Sequence, residues 1–358
     1  MTPRASVLLS RLLPGVLLLG LSTACTHVTD PVHGGVGAAA VRTAPAGEIT
    51  VAVAGDVHFA GSSATALDPG GLAAITPVLS AADVSLVNLE TAVTDGGTPA
   101  AKQYTFKAPA RALSVLRTAG VDVVGMANNH GLDYGTEGLD DTLAASRSSG
   151  LPVIGVGRDV EAAFAPWRTT IRGHRLVVFD ATQVLDSSLA DAWTAGPDHA
   201  GTASVKTRGG RDRLVAAVRS ARGDADSVVV LLHWGREREQ CPTDDQEGLA
   251  AALVAAGADA VVGSHAHRLL GAGFTRAGSR TGYVDYGLGN FVFYARGGAA
   301  ARTGVLTLTL GAGRPPRPTW TPAEIDAGVP VPLTGSAATT ATTAKDALRS
   351  CTGLRAQP

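Results

Sequence analysis

The chain has almost no net charge: it carries −1 over 358 residues, and only 17% of them are charged. With no basic excess to neutralise a phosphate backbone, a nucleic-acid partner is not expected. Internal repeats are absent. Lysine is sparse beside arginine, and with abundant Ala and Gly this reads as a compositional bias of the genome. The apolar stretch over residues 12–21 is too short to cross a bilayer comfortably as a mature helix. Cysteine is limited to three. What is present in quantity is apolar: 45% of the chain is hydrophobic. That is an ordinary globular composition, with length for one large domain or two modest ones with tails.

The N-terminus has the layout of a secretory leader. Arg4 and Arg11 supply positive charge, the apolar run follows, and Ser22, Thr23 and Ala24 precede Cys25. Residues 1–25 are therefore expected to be a signal peptide of the lipoprotein type, with Cys25 as lipid anchor. The mature protein is then held at the extracytoplasmic face of the cell membrane; the alternative is plain secretion. Residues 26–47, rich in Gly, Ala, Pro, Val and Thr, read as a flexible linker. Cys241 and Cys351 remain. They either form one disulfide, tying the C-terminal tail to the loop after His233, or stay separate thiols.

From residue 48 short apolar runs alternate with amphipathic stretches. Strands are expected over 49–54, 84–89, 121–126, 227–232 and 258–262, and helices over 71–82, 109–119, 137–148, 211–221 and 245–256. This is an α/β pattern. Continuous apolar strands call for sheets covered on both faces. Further strands at 176–179, 282–286 and 304–310, with fewer helices between them, argue for a layered, mixed arrangement. The body is set at 48–310. Residues 311–358 turn Pro-, Ala- and Thr-rich and are expected to be extended or disordered, apart from a short piece near 345–349.

Polar residues fall at the ends of the apolar runs. Asp56, Glu90, Asn129, His233 and His265 each follow one, and strand carboxyl ends are where α/β sheets present ligands and catalytic groups. Asp56-Val57-His58 sets a carboxylate and an imidazole at alternate positions, and His265-Ala266-His267 repeats the spacing with two imidazoles. Mixed N/O donors suit a divalent transition metal. Each pair alone is a weak signal; five strand ends delivering metal-ligand residue types are a strong one.

These segments, with Asn88-Leu89-Glu90, Ala127-Asn128-Asn129-His130, Asp133, His233-Trp234-Gly235-Arg236-Glu237 and Leu288-Gly289-Asn290-Phe291, resemble in order the motifs of the CapA (poly-gamma-glutamate capsule synthesis) family. That family is related to calcineurin-like metallophosphatases, so the resemblance implies a four-layer αββα sandwich with mixed sheets. It also implies two divalent metal ions (Mn, Fe, Zn or Mg). Asp56, His58 and His267 would hold one, Asn129, His233 and His265 the other, and Glu90 would bridge. His130 would serve as general acid or anion stabiliser. Lys107, Glu237 and Asn290 are candidate substrate-binding residues. Asp133 is expected to cap a helix. Lys102, Lys107, Arg236, Arg238 and Arg268 lie near the motifs and are expected to line the entrance.

Three functions follow as expectations. The first is an exported two-metal hydrolase or transferase in capsule or cell-envelope polymer synthesis. Its substrate would be an anionic polymer and its partners a membrane-bound synthesis complex. The second is a general exported metallophosphoesterase acting on a phosphate ester, which the Asp56–His58 pair favours. The third is a non-catalytic polymer-binding lipoprotein, against which the complete ligand set argues.

Overall fold

The computed structural model describes residues 47–358. The signal peptide, Cys25 and the linker through residue 46 lie outside the described residues. In chain order the strands of the two large sheets are β1 (Glu48–Val57), β2 (Val84–Leu89), β3 (Val123–Gly125), β4 (Val153–Ile154), β5 (Trp167–Ile171), β6 (His174–Thr182), β7 (Ser227–His233), β8 (Ala260–Ser264), β9 (Ala272–Ala277), β10 (Arg280–Asp285), β11 (Asn290–Val292), β12 (Arg302–Gly311), β13 (Arg317–Asp326) and β14 (Val329–Pro332). The first sheet runs β14-β13-β12-β1-β2-β3-β4, with β11 beside the end of β1. The second runs β9-β10-β8-β7-β6-β5. Strands β1 to β4 are mutually parallel, as are β6, β7, β8 and β10. The edges β12–β14, β9 and β5 pair antiparallel. The sheets are mixed, as expected.

Period-two burial builds the layers. Ile49, Val51 and Val53 of β1 face Leu176, Val178, Val229 and Leu231 of the other sheet across a shared apolar core. The opposite faces carry Ala52, Ala54 and Val87 on one sheet and Val228, Val230 and Leu232 on the other. The former pack on α1 (Arg111–Thr118) and α2 (Gly135–Ser149) through Leu113, Leu116 and Ala145. The latter pack on α3 (Arg208–Ala221) and α4 (Asp244–Ala256) through Leu214, Val218, Leu249 and Leu253. The result is helix on sheet on sheet on helix, the αββα sandwich. Each Val, Leu or Ile side chain among these, fully buried, contributes about 1.5–3 kcal/mol.

Two expectations are corrected. Residues 71–82 are mostly turns, with a helix only over Thr76–Leu79. Pro77 has no N–H to give to a preceding turn, so a helix can start there but not run through. The C-terminal tail is folded. β13 pairs along β12 from Arg302↔Glu324 to Thr309↔Arg317. Its prolines fit because Pro318 and Pro322 sit where the strand's polar groups point away from β12; the Pro322 carbonyl accepts from Leu333 on that side. Helix α5 (Gly335–Ala347) is fastened by a buried lysine: Lys345 Nζ lies 2.9 Å from Asp285 Oδ2 and donates to the Leu270 carbonyl at 3.1 Å. The Cys241 and Cys351 sulfurs are bonded, with Cα atoms 5.6 Å apart, so the open choice between disulfide and free thiols resolves to the disulfide.

Candidate metal centre

The carboxyl ends of β1, β2, β3, β7 and β8 converge. Close approach begins with Gly55: a Cβ there would stand 1.8 Å from the Gly289 carbonyl oxygen, so only glycine lets β1 and the 287–290 turn meet. Asp56 and Glu90 are fully buried behind this contact. Around Glu90 two groups of donors assemble. His233 Nε2 is 3.4 Å from Glu90 Oε1, 2.7 Å from Asn129 Oδ1 and 3.0 Å from His265 Nδ1. On the other side His267 Nε2 is 4.0 Å from Glu90 Oε1, and its Nδ1 is 3.4 Å from Asp56 Oδ2. His265 and His267 both take positive φ, 94° and 54°, which aims alternate side chains into the same space at a cost of about 1–3 kcal/mol each.

Neighbouring side chains fix the ring faces. His233 Nδ1 meets Ser264 Oγ at 3.0 Å and Asn88 Nδ2 at 3.2 Å, leaving Nε2 for the cluster. Asn88 also donates to Asp56 Oδ1 at 2.8 Å. His58 Nδ1 has Ala60 N–H and Ser63 Oγ, each at 3.1 Å. Nδ1 accepts from the Ala60 N–H, and Nε2 is the ring nitrogen left without a protein partner. Metal ligands are commonly oriented in this way.

Electrostatics follows the crowding. Burial lowers the His58 pKa to about 3, against the pull of Glu90. Burial, helped by His233 and His267, holds His265 well below the ordinary imidazole range. Burial pushes the Glu90 carboxyl up, but the imidazoles of His267 and His233 outweigh it and keep Glu90 ionised. His267 is the counterpart: burial opposes its charge, yet Glu90 and Asp56 raise it to about 10.

A divalent metal fits this donor set. Both Glu90 carboxylate oxygens and His58 Nε2 are buried with no hydrogen-bond partner, and a buried polar atom without a partner is costly. Ligand atoms of Glu90, His265 and His267 lie within 4.8 Å of one another. The structure gathers Asp56, His58, Glu90, Asn129, His233, His265 and His267, the residues the motifs indicated, at one set of strand ends. The groove of about 490 Å³ between α5 and β12–β13 is separate, sharing Arg268 and Leu269 with the segment after His267 but none of these ligands.

Other candidates part company. His130 reaches the site with Nδ1 2.7 Å from Asp133 Oδ2. Asp133 is therefore the orienting partner of His130 and not a helix cap; it also accepts from Phe106 N–H at 2.6 Å and pairs with Lys102 at 3.0 Å. The α2 N-cap is Tyr134, which makes no side-chain cap. Lys107 is corrected: it is exposed, donates to the Asp95 carbonyl at 3.1 Å and lies over the Tyr134 ring. The lysine beside His130 is Lys102, whose ammonium contacts the Asn129 carbonyl. Asn290 is corrected as well. Its Oδ1 meets His267 Nδ1 at 2.9 Å and its Nδ2 binds the Ala300 carbonyl at 2.9 Å, so it holds a ligand ring instead of facing substrate; Gly289, φ 66°, takes the left-handed turn. Glu237 is exposed, near enough for its charge to act on Tyr294. Of the entrance arginines, Arg236 and Arg238 are exposed, while Arg268 braces the same loop through the Arg238 carbonyl at 2.8 Å.

Sequence reading passed over Asp180, fully buried on β6 of the opposite sheet. Its carboxyl, pushed up by burial, accepts from Ala127 N–H at 2.7 Å and so holds the 126–130 turn. An acid closing the apolar run 176–179 was the available signal. Asn128, beside Asn129 in the same turn, donates to Asn88 Oδ1 and to the Leu89 carbonyl and so ties that turn to β2.

The fold is thus an αββα sandwich with mixed sheets, carrying a buried Asp, Glu, Asn and His cluster at its strand ends. Residues 50–295 match the model of the bacterial capsule synthesis protein PGA_cap, and the chain belongs to that family. It is 34% identical to the capsule biosynthesis protein CapA of Bacillus anthracis, over 54% of this chain and 43% of that one. It is 30% identical to the "Probable polyglutamine synthesis accessory protein" of Mycobacterium tuberculosis (strain CDC 1551 / Oshkosh), over 52% of this chain and 50% of the other. The chain thus spans about half the length of the curated relatives it matches. Among solved structures, a novel phosphatase from Mycoplasma pneumoniae aligns with TM-score 0.48 and 13% identity over 78% of this chain and 94% of that one. A likeness that distant says nothing about chemistry.

Proposed function

We propose that this protein is an exported, metal-dependent enzyme of capsule or cell-envelope polymer production, acting by two-metal hydrolysis or transfer. The carrying observation is Glu90: a buried carboxylate with both oxygens unpartnered, between His233 and His267. That position suits a residue shared by two cations. Two divalent ions bound there supply Lewis acidity and lower the pKa of water. Asp56, His58 and His267 would hold one, Asn129, His233 and His265 the other. His130, oriented by Asp133, stands ready to protonate a leaving oxygen. In hydrolysis of a phosphate ester, the oxygen of water forms the new P–O bond and the bond to the alcohol oxygen breaks. That oxygen takes the proton from His130, and the proton of the water passes to solvent. Names of the relatives, capsule biosynthesis and polyglutamine synthesis, support a part in polymer synthesis; an anionic polymer as substrate and a membrane-bound synthesis complex as partner are included in the proposal. Export and a lipid anchor at Cys25 belong to the same proposal. Among the described residues no helix is long and apolar enough to cross a membrane.

A second reading, a general metallophosphoesterase, is favoured by one observation: His58, whose Nε2 completes the donor set beside Asp56. Metal analysis paired with bis-p-nitrophenyl phosphate hydrolysis, on wild type and His265→Ala, tests both. About two ions per chain with hydrolysis lost in the variant supports the site and moves toward the phosphoesterase. Metal without hydrolysis keeps the polymer reading in front. A protein that takes up no metal after reconstitution ends the two-metal proposal and returns the non-catalytic binder.

A further inference from the structure

Lys102 carries a charge where charge is costly. Only 7% of its side chain is exposed, and a buried ammonium needs partners. Its Nζ sits among three oxygens: it contacts the Asn129 carbonyl and lies 3.0 Å from Asp133 Oδ1 and 3.2 Å from Asp186 Oδ2. The Trp193 ring covers a further side, with its centre 5.2 Å from Nζ. The loop that bears Lys102 is tied to the same turn twice more. Ala100 N–H donates to the Asp133 carbonyl at 2.8 Å, and Phe106 N–H to Asp133 Oδ2 at 2.6 Å. Asp186 comes from the segment after β6, so three separate stretches of chain meet at one cation.

The Asn129 carbonyl belongs to the peptide plane that joins Asn129 to His130. The N–H of that plane, from His130, donates to Asn128 Oδ1 at 2.9 Å. Asn128 is in turn fastened to β2. With both polar ends held, the plane is fixed, and so are the dihedrals on its two sides, ψ of Asn129 and φ of His130. Those two angles relate one side chain to the next. Asn129 Oδ1 meets His233 Nε2 at 2.7 Å, and His130 Nδ1 meets Asp133 Oδ2 at 2.7 Å. Lys102 touches both arrangements: the carbonyl between the two side chains, and the carboxylate that holds the second ring.

We infer that Lys102 is a positioning residue of the metal centre, holding the Asn129–His130 peptide so that the proposed ligand and the proposed proton donor reach the centre together. This rests on the metal-centre reading above. An ammonium has no lone pair, so Lys102 is not itself a ligand. Three N–H groups diverging from one nitrogen suit three converging oxygens, whereas the flat fork of arginine suits two parallel acceptors.

Mn2+ titration of the full chain, with free ion counted by its electron paramagnetic resonance signal, tests it. Wild type should take up about two ions. Lys102→Met should keep one ion at wild-type affinity and bind the other about ten- to a hundredfold more weakly. That variant leaves Asp133 buried and unpaired. Where it does not fold, Lys102→Met/Asp133→Asn takes its place, because it removes both charges and keeps an oxygen for Phe106 and His130; the same ion should be weakened. Lys102→Arg, which keeps the charge, should not restore it. Against bis-p-nitrophenyl phosphate at saturating Mn2+, kcat should fall about a hundredfold while KM stays within about twofold. Both ions held at wild-type affinity, equal loss of both, or full restoration by arginine overturns the inference while the metal reading stands. A wild type that takes up no Mn2+ ends both. Selective weakening of one ion, in a protein that hydrolyses no diester, supports the inference while the hydrolase reading fails.

Discussion

Reduction of the Cys241–Cys351 bond should lower stability by an amount set by the loop it closes. The cysteines are 110 residues apart. In the chain-entropy model such a loop removes about 16 cal/mol/K from the unfolded state, or about 4.8 kcal/mol at 25 °C. Unfolding entropy near 2.1 cal/mol/K per residue, over the roughly 310 residues of the folded part, gives about 0.65 kcal/mol/K. Dividing, the melting temperature should fall by about 7 °C. Differential scanning calorimetry of a chain beginning at residue 47, with and without a phosphine reductant, measures this. Cys241→Ser/Cys351→Ser should reproduce it without reductant. Metal stoichiometry should stay constant, because the loop after His233 is also held by Arg238 N–H on the Ala266 carbonyl (2.9 Å) and by Arg268 on Gln240 Oε1 (3.2 Å). A shift under about 2 °C in both experiments would refute the reasoning, meaning that the tail detaches locally before global unfolding and the loop is never closed in the relevant sense.

Asn290→Ala should weaken metal binding by about ten- to a hundredfold, since the His267 ring loses the partner that fixes its face; competitive titration against a chelating dye reads the loss. Lys345→Met should destabilise the fold by about 3–5 kcal/mol in urea unfolding, because Asp285 is left buried and unpaired. Lys345→Met/Asp285→Asn should recover most of that, and failure to recover would mean that the lysine acts through packing on Trp320 instead.

By itself the sequence determined the scaffold and which polar residues meet at its strand ends. Period-two and period-3.6 apolar patterns are local, so β1, β2, β7 and β8 and the helices α1 to α4 were readable from short windows. A polar residue that ends an apolar strand has only the sheet edge to occupy, and this made Asp56, Glu90, Asn129, His233 and His265 legible together. The alternate spacing of His58 and His267 joined them to the same edge. Tertiary structure decided what depends on distant partners. Lys102 and Lys107 look alike in sequence, but only the fold of the 94–106 loop brings Lys102 to Asp133 while Lys107 turns to solvent. Asp180 supports the 126–130 turn from another sheet, across an interface no local window contains. The tail's Ala favours helix, its Thr strand, and its Pro opposes both, so local preference conflicts; β12 offers a free edge whose ladder tolerates prolines facing outward, and Asp285 offers a buried carboxylate that draws in Lys345. Burial periodicity is written along the chain; hydrogen-bond and charge partners are assigned only when packing brings remote segments together.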